Sequence, residues 1–488
     1  MPTVGRILGV DQGIVFQPAW VQADLIRSKQ LSPVALVRAC LDQIRSSDDV
    51  LKAWISLDEE RALRQAALAE HEIQNGGWRG PLHGLVFGVK DQMHARGFPT
   101  TLGTKVLTPE EMSPPCTATV IERLEQAGAI LLGKQNLHEF GKGGTINFPY
   151  GQPKNPWNPA YNASSTSTGS GIATAAGHCS FSIGEDTGGS IRGPSSVNGI
   201  CGIRPTFGRV SRHGAVMAAY TSDTIGPMAR SVKDLAMILR VISGHDAKDA
   251  LSATEPVPAF DDELQATSEN LTGSRIGVVE EIVNSSVHPE VMSAFNEAIQ
   301  TLEKLGATVQ RISLPLAKWA VPLQMLTADC DVAAWFMGTY LKDRYAQFDV
   351  GTRTRLVASS LIPASVYSRA MRARRIVRRQ LLDSFNEVDV LVTPTNVTPP
   401  KKIEDAQERV GEESDMVPRL IQRRISLYPF SLSNVPAMSI PMGFSKNHLP
   451  LALQIAAKPF DESMVFRVGY AYQQATNWHQ QHPPVKWS

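Results

Sequence analysis

The chain has 488 residues, 42% of them hydrophobic, with 37 Gly and 32 Pro, a balance that suits a globular enzyme with a large core and argues against extensive disorder. Lys and Arg number 48 against 47 Asp and Glu, a net charge of +1, so no overall field favours nucleic acid or an anionic membrane. Cys40, Cys116, Cys179, Cys201 and Cys330 are widely spaced with no Cys-x-x-Cys pair, which argues for reduced thiols rather than a zinc or redox motif.

In chain order, Met1-Pro-Thr-Val-Gly-Arg6 lacks the charged region and apolar run of a secretory signal, and nowhere do about 18 apolar residues follow one another. A soluble, cytoplasmic protein with no membrane partner is expected. Ser32 as a cap, Pro33 at the first helical position and the stripe Val34, Val37, Leu41 and Ile44 predict a helix over 33–46. Leu85-Val-Phe-Gly-Val89 is strand-like and leads to Lys90. Val120, Ile121, Leu124 and Ala127 line a helix stopped by Gly128, before the short strand Ala129-Ile-Leu-Leu132. The order recurs: strand Ile276-Gly-Val-Val279, a helix lined by Val291, Phe295, Ala298, Leu302 and Leu305 and ended by Gly306, and strand Thr308-Val-Gln-Arg-Ile312. Such β-α-β alternation favours an α/β fold with parallel pairing in one sheet.

The stretch 250–385 is helical in pattern and carries Trp319, Met325, Trp335, Phe336, Met337 and Tyr340, most of them expected in the core and some available to line a pocket. Its arginine cluster, Arg369, Arg372, Arg374, Arg375, Arg378 and Arg379, is expected to be a solvated helix face rather than a tRNA patch. Val390-Leu-Val392 is a strand, the charged run Lys401 to Asp415 an exposed loop, Met438-Ser-Ile-Pro441 and Leu451-Ala-Leu-Gln-Ile455 strands, and Met464, Val465, Val468 and Tyr472 the stripe of a closing helix. No linker divides the chain.

The chemistry resides in three segments. Gly184-Glu-Asp-Thr-Gly-Gly-Ser-Ile-Arg-Gly193 contains Ser190, Ala163-Ser-Ser-Thr-Ser-Thr-Gly-Ser-Gly171 is rich in hydroxyls, and Gly88-Val-Lys-Asp91 holds Lys90. A serine hydroxyl needs a neighbouring base to become a useful nucleophile. His138 and His213 come without an identifiable carboxylate to orient them, and no Gly-x-Ser-x-Gly elbow surrounds Ser190. A lysine can replace histidine if burial lowers its pKa from about 10.4 toward neutrality. By its segment alone, Lys90 fits either that role or a solvent-facing strand end. Gly188 and Gly189 suit a turn whose N–H groups approach a substrate oxygen, while Thr187-Gly-Gly-Ser190 equally fits a tight turn or a weak phosphate loop.

Together with Gly80-Pro-Leu-His-Gly-Leu85, Gly133-Lys-Gln-Asn136, Asn155-Pro-Trp157, Gly208-Arg-Val-Ser211, Gly226-Pro-Met-Ala-Arg-Ser-Val232, Asp389-Val-Leu-Val-Thr-Pro394, Pro436-Ala-Met-Ser-Ile-Pro441 and Gln473-Gln-Ala-Thr-Asn-Trp-His479, these segments resemble the amidase signature family, hydrolases that cut amide bonds with a Ser, a second Ser and a Lys. The resemblance covers nearly the whole chain. It implies one α/β domain over 1–488 with a large mixed central β-sheet flanked by helices on both faces: an N-terminal helical part (1–80), a signature core (81–245), a variable helical excursion (250–385) and a C-terminal part completing the sheet (386–488). It implies Ser190 as nucleophile, Lys90 as base, an oxyanion hole from the N–H groups of Thr187, Gly188, Gly189 and Ser190, and support of that loop by Asp186 and Arg192.

One departure stands out. The family pattern Gly-Gly-Ser-Ser-Gly-Gly-Ser places its bridging serine at Thr166, 24 residues before Ser190, and its first two glycines at Ser164 and Ser165. Threonine keeps the hydroxyl of a proton relay, with Ser165 and Ser167 as alternatives for it. The resemblance implies no metal or organic cofactor. The function expected from it is serine-dependent hydrolysis of small-molecule amides, aryl or alkyl acyl amides with carbamates and esters to be tested alongside. The expected partner is the small-molecule amide itself, with no nucleic acid, and the oligomer a homodimer. Two alternatives remain: the glutaminase component of glutamyl-tRNA amidotransferase, where the same core works in a complex that passes ammonia to a charged tRNA, and a catalytically silent binding homologue, motivated by Thr166.

Overall fold

Alternating helix and strand signals close into one mixed sheet. The computed structural model describes residues 12–142, 144, 146–164, 166–266, 270–284, 286–338, 343–406 and 413–484. Its strands are β1 (Trp54–Leu57), β2 (Val86–Lys90), β3 (Ile130–Gln135), β4 (Phe181–Asp186), β5 (Cys201–Arg204), β6 (Thr224–Ala229), β7 (Arg275–Val279), β8 (Thr308–Ile312), β9 (Val390–Pro394), β10 (Ala437–Phe444) and β11 (Pro450–Ala457). They form a sheet of 11 strands in the order β1-β3-β2-β4-β6-β5-β10-β11-β9-β7-β8. β2 pairs in parallel with β3 and β4, and β7 with β8 and β9. Between these two parallel zones the pairings are antiparallel. Every residue of β2, β3, β4, β6, β9 and β11 is buried, so the centre of the sheet is covered on both faces.

The helix expected over 33–46 begins as read, with Ser32 accepting the Ala35 N–H at 3.2 Å, and runs on to Leu51, where Lys52 turns left-handed at φ 54. Leu36, Val37, Cys40, Leu41 and Ile44 are its buried stripe. The helices Thr119–Gln126 and Pro289–Lys304 precede β3 and β8 as the repeated order requires. β10 and β11 form an antiparallel pair backed by the closing helix Glu462–Gln474.

The aromatic residues of 250–385 depart from the expected core. Trp319 is 53% exposed and Trp335 38%, whereas Phe336 is buried, its ring centroid 4.3 Å from that of Phe140. The reason is helical phase. The helix Ala320–Phe336 buries the face carrying Val321, Gln324, Ala328, Val332 and Phe336, so Trp335 stands off it and Trp319 precedes the helix. Met325 and Met337 are half-buried, and Tyr340 lies outside the described residues. On the helix Ala364–Ser384, Arg369, Arg372, Arg375 and Arg379 are exposed as expected, but Arg374 turns inward to the Leu432 carbonyl (2.9 Å) and Thr221 Oγ1 (3.0 Å), and Arg378 donates to the Ser433 carbonyl at 3.0 Å.

Lys90 ends β2 and Asp186 ends its parallel neighbour β4. The segments that follow both strands therefore leave the sheet at the same carboxyl edge, where α/β folds gather their sites.

Candidate active site

Lys90 is held by the sheet. Pairing of Val89 with Ile183 brings the end of β2 against the end of β4, and the fully buried Lys90 Nζ lies 2.8 Å from Glu185 Oε2, 3.2 Å from Thr166 Oγ1 and 3.4 Å from the Glu185 carbonyl. The lysine expected to lose its charge through burial and nearby hydrogen-bond donors thus has a carboxylate partner.

Thr166 is buried, with φ 56, just before the helix Thr168–Ala175. A left-handed β-branched residue is strained, and the strain sets its hydroxyl beside Lys90. Ser167 faces elsewhere: its hydroxyl donates to the Glu185 carbonyl at 3.0 Å and accepts the Glu185 N–H at 3.3 Å, tying the hydroxyl-rich segment to β4. Ser165 lies outside the described residues.

The loop after β4 is organised by Asp186. Its carboxylate accepts the N–H of Gly189 (2.7 Å) and of Ile191 (3.2 Å), as well as Arg192 Nε and Nη2, both at 3.1 Å. Burial works to raise its pKa, but the guanidinium groups of Arg192 and Arg204 hold it well below the usual carboxylate range. Gly189 has φ 114 with Leu427 packed against it, a conformation and a closeness that exclude a side chain. Arg192 also reaches Gln454 Oε1 at 2.7 Å and Ser431 Oγ at 2.6 Å, anchoring the loop to β11 and to the helix Tyr428–Ser433.

Ser190 lines a pocket together with Thr166, Thr187 and Gly188. Its other walls are Gly141, Lys142, Gln324, Met325, Ala328, Arg355, Arg424 and Tyr428. Asp329 accepts Lys142 Nζ at 3.3 Å and Arg355 Nε at 2.7 Å, and these two cations hold its carboxyl below the usual range against the effect of burial. Arg424 Nη1 donates to the Tyr428 hydroxyl at 2.6 Å. Three cations, Lys142, Arg355 and Arg424, therefore line the space in front of Ser190, the first two of them paired with Asp329 behind it. Among the described residues no histidine lines it: His138 is buried elsewhere, its Nε2 2.9 Å from the Ile146 carbonyl.

The motifs do not reveal Glu185, Lys142, Gln324, Arg355 or Arg424. Glu185 alone carried a signal, an acid next to Asp186 at the end of the otherwise uncharged run Phe181-Ser-Ile-Gly184. The wall residues come from segments remote in the chain.

A model of the Amidase family matches residues 35–466. The chain belongs to the amidase family. The A-type subunit of glutamyl-tRNA(Gln) amidotransferase from Thermosynechococcus vestitus is 36% identical over 481 residues, covering 94% of this chain and 97% of that protein. The crystal structure of the corresponding glutamyl-tRNA(Gln) amidotransferase subunit from Thermotoga maritima matches with a TM-score of 0.79 at 28% identity, over 96% of each chain. That of 6-aminohexanoate cyclic dimer hydrolase complexed with substrate matches with a TM-score of 0.86 at 26% identity, over 97% of this chain and 99% of that one. The amidase is thus of a family of enzymes acting on carbon–nitrogen bonds, on a mixed α/β fold.

These likenesses overturn two expectations. The small-molecule amide hydrolase for aryl or alkyl amides, and the absence of a nucleic-acid partner, do not stand beside whole-length relatives that are subunits of a tRNA-linked enzyme. The pocket supplies the physical reason: neither Trp319 nor Trp335, which were available to line a pocket, lines it, and cations and polar groups do. No helix of the described residues is long and apolar enough to cross a membrane.

Proposed function

We propose that the amidase is the glutamine-hydrolysing component of a tRNA-dependent amidotransferase, releasing ammonia for a partner-borne glutamyl-tRNA. The observation that carries this is the cationic pocket in front of Ser190. Glutamine presents a neutral side-chain amide for cleavage and an α-carboxylate for recognition, and Lys142, Arg355 and Arg424 offer cations to that carboxylate. The relatedness to amidotransferase subunits over nearly the full chain supports the same reading.

In this reading Ser190 attacks the amide carbon and its proton leaves through Thr166 toward Lys90. The Gly189 N–H is taken by Asp186, so the N–H groups of Thr187, Gly188 and Ser190 are the loop's donors to the developing oxyanion. Each well-placed donor of this kind is worth about 3–4 kcal/mol in the transition state. The returning proton releases ammonia, and water hydrolyses the acyl-enzyme by the reverse path. The chain would act as one domain over 1–488.

The test is glutamate and ammonia release from glutamine by the purified chain, alone and with its partner subunits and glutamyl-tRNA, beside Ser190→Ala. Hydrolysis that depends on the partners and disappears in Ser190→Ala supports the assignment. Glutamine left intact by the assembled complex, while Ser190 still reacts with a fluorophosphonate, overturns it.

A further inference from the structure

Of the three cations lining the space in front of Ser190, two are already paired. Lys142 Nζ and Arg355 Nε reach the two oxygens of Asp329 at 3.3 and 2.7 Å, and Arg355 Nη1 also donates to the Lys142 carbonyl at 3.1 Å. Arg424 differs. Among the described residues no carboxylate pairs with it: its Nη1 donates to the Tyr428 hydroxyl at 2.6 Å, and its guanidinium carbon lies 5.2 Å from the centre of the Tyr428 ring. A guanidinium carries five N–H donors in a planar fork, so most of that fork is left for an acceptor that a ligand brings.

Arg424 is fixed by the same segment that frames the serine loop. It ends the helix Glu413–Arg424, and the buried run Ile425-Ser-Leu427 leads from it into the helix Tyr428–Ser433. Ser426 Oγ donates to the Thr395 carbonyl at 2.8 Å, Leu427 packs on Gly189, and the Tyr428 ring packs on Gly188 so closely that a Cβ there would come within 2.7 Å of it. Tyr428 therefore touches the oxyanion loop with its ring and holds Arg424 with its hydroxyl. The cation has a set place in the pocket of the reacting serine, as an anchor that positions an amide for attack requires.

The same pocket has no partner for an ammonium group. Among the described residues no acid lines it. Asp329 has both oxygens on Lys142 and Arg355, and Glu185 and Asp223 meet at the Thr187 hydroxyl, 2.8 and 2.7 Å away, without lining the space. Asp223 is fully buried, and that burial pushes its carboxyl up to about 7.

We propose that Arg424 is the specificity-determining residue of this site, that it takes the carboxylate of the substrate with Tyr428 as a positioning residue acting through it, and that the site does not read an α-ammonium. The class so defined is the ω-amide of a dicarboxylic acid, to which glutamine belongs through its carboxylate alone. The inference rests on the proposed function for the choice of a carboxylated amide, so its test reads occupancy of the pocket and not hydrolysis.

Labelling of Ser190 by a fluorophosphonate is followed at pH 7 in the full chain, and again in the assembled complex, against rising concentrations of four ligands. They are glutamine, glutaramate, which is glutamine without its ammonium, pentanamide, which has neither charge, and glutaminamide, in which the carboxylate is an amide. Glutaramate should halve labelling at a concentration within about three-fold of that for glutamine, while pentanamide and glutaminamide should need at least about 10-fold more. Arg424→Gln should raise the glutaramate and glutamine values by about 10- to 100-fold, the range of hydrogen bonds to a charged group, and move the pentanamide value by less than about three-fold. Arg424→Lys, which keeps a point charge and loses the fork, should fall between. Tyr428→Phe should weaken glutaramate several-fold by itself and add nothing to Arg424→Gln, as a group acting only through Arg424 must.

A glutamine value more than about 10-fold below that of glutaramate reveals an ammonium partner and overturns the proposal. So do pentanamide protection equal to that of glutaramate, no protection by either carboxylate, and an Arg424→Gln protein in which glutaramate and pentanamide shift together. The ligand series in the unsubstituted protein and in Tyr428→Phe decides the matter if Arg424→Gln does not fold. Carboxylate protection that depends on Arg424, with glutamine left intact by the assembled complex, would sink the assigned substrate and leave Arg424 in its role, whereas glutamine hydrolysis with a KM unmoved by Arg424→Gln would do the reverse.

Discussion

Thr166 concentrates the chemistry of the site in one side chain. It stands where the family pattern has a serine, it is left-handed, and its hydroxyl accepts from Lys90. Thr166→Ala is expected to slow Ser190 acylation by at least about 100-fold, because the proton path is cut where general-base catalysis depends on it. Thr166→Ser should keep the rate within a few-fold and raise stability by about 1 kcal/mol, since the methyl removed is part of what strains a β-branched residue at positive φ. Acylation kinetics and urea unfolding of the two variants check both statements. Equal rates for Ala and Ser would place the relay elsewhere in the hydroxyl-rich segment.

Elements are fastened around the site by buried polar side chains, and His178 is the plainest case. Its ring bridges Ser47 Oγ at 2.7 Å on the helix Pro33–Leu51 and Trp54 Nε1 at 3.2 Å on β1, from the turn between the helix Thr168–Ala175 and β4. The indole N–H donates to Nδ1, so Nε2 carries the proton given to Ser47. Burial lowers this histidine to about 3, and the folded state therefore excludes a proton that the unfolded chain takes up near pH 6.5. Its contribution to stability is complete above pH 6.5 and declines as pH falls toward 3. His178→Ala should cost about 2–4 kcal/mol at pH 7, from two orphaned partners and the space left behind, as measured by urea unfolding. At pH 4 the cost should be smaller.

Helix and strand positions were legible in the chain because caps, stripes and glycine stops are local signals, as at Ser32, Gly128 and Gly306. The exposure of Trp335 was not, because it depends on which face of the helix Ala320–Phe336 meets the pocket floor. Nor was the inward turn of Arg374, since its acceptors at Thr221 and Leu432 become neighbours only in the folded molecule. In the site, Lys90, Thr166 and Ser190 belong to contiguous motifs, whereas Asp223, Gln324, Asp329, Arg355 and Arg424 are collected from separate elements and carry no sequence mark of their meeting.

For the molecule as a whole, two buried carboxyl groups respond to acid in opposite ways. Asp186 has its folded pKa below its unfolded value near 3.9, so the stability it contributes is present above about pH 4 and is lost as pH falls further. Asp223, raised to about 7, binds its proton more tightly when folded, so stability falls as pH rises from about 4 to 7. Thermal unfolding should show that Asp223→Asn removes this decline, its Tm lying closer to wild type at pH 4.5 than at pH 7.5 by several degrees after the uncharged amide's own offset is subtracted. A constant difference across that range would mean that Asp223 ionises no differently in the two states.

The anchorage of the serine loop has a consequence for how the protein comes into being. Arg192 needs Leu427, Ser431 and Gln454, and Arg204 needs Asn434, before the two guanidinium groups around Asp186 are satisfied. All the residues of the proton path have left the ribosome by then, yet the frame that holds them is still being synthesised. A chain truncated before Leu427 is therefore expected to leave both guanidinium groups short of these partners and the serine loop without its frame, which loss of fluorophosphonate labelling at Ser190 in such a truncation would check.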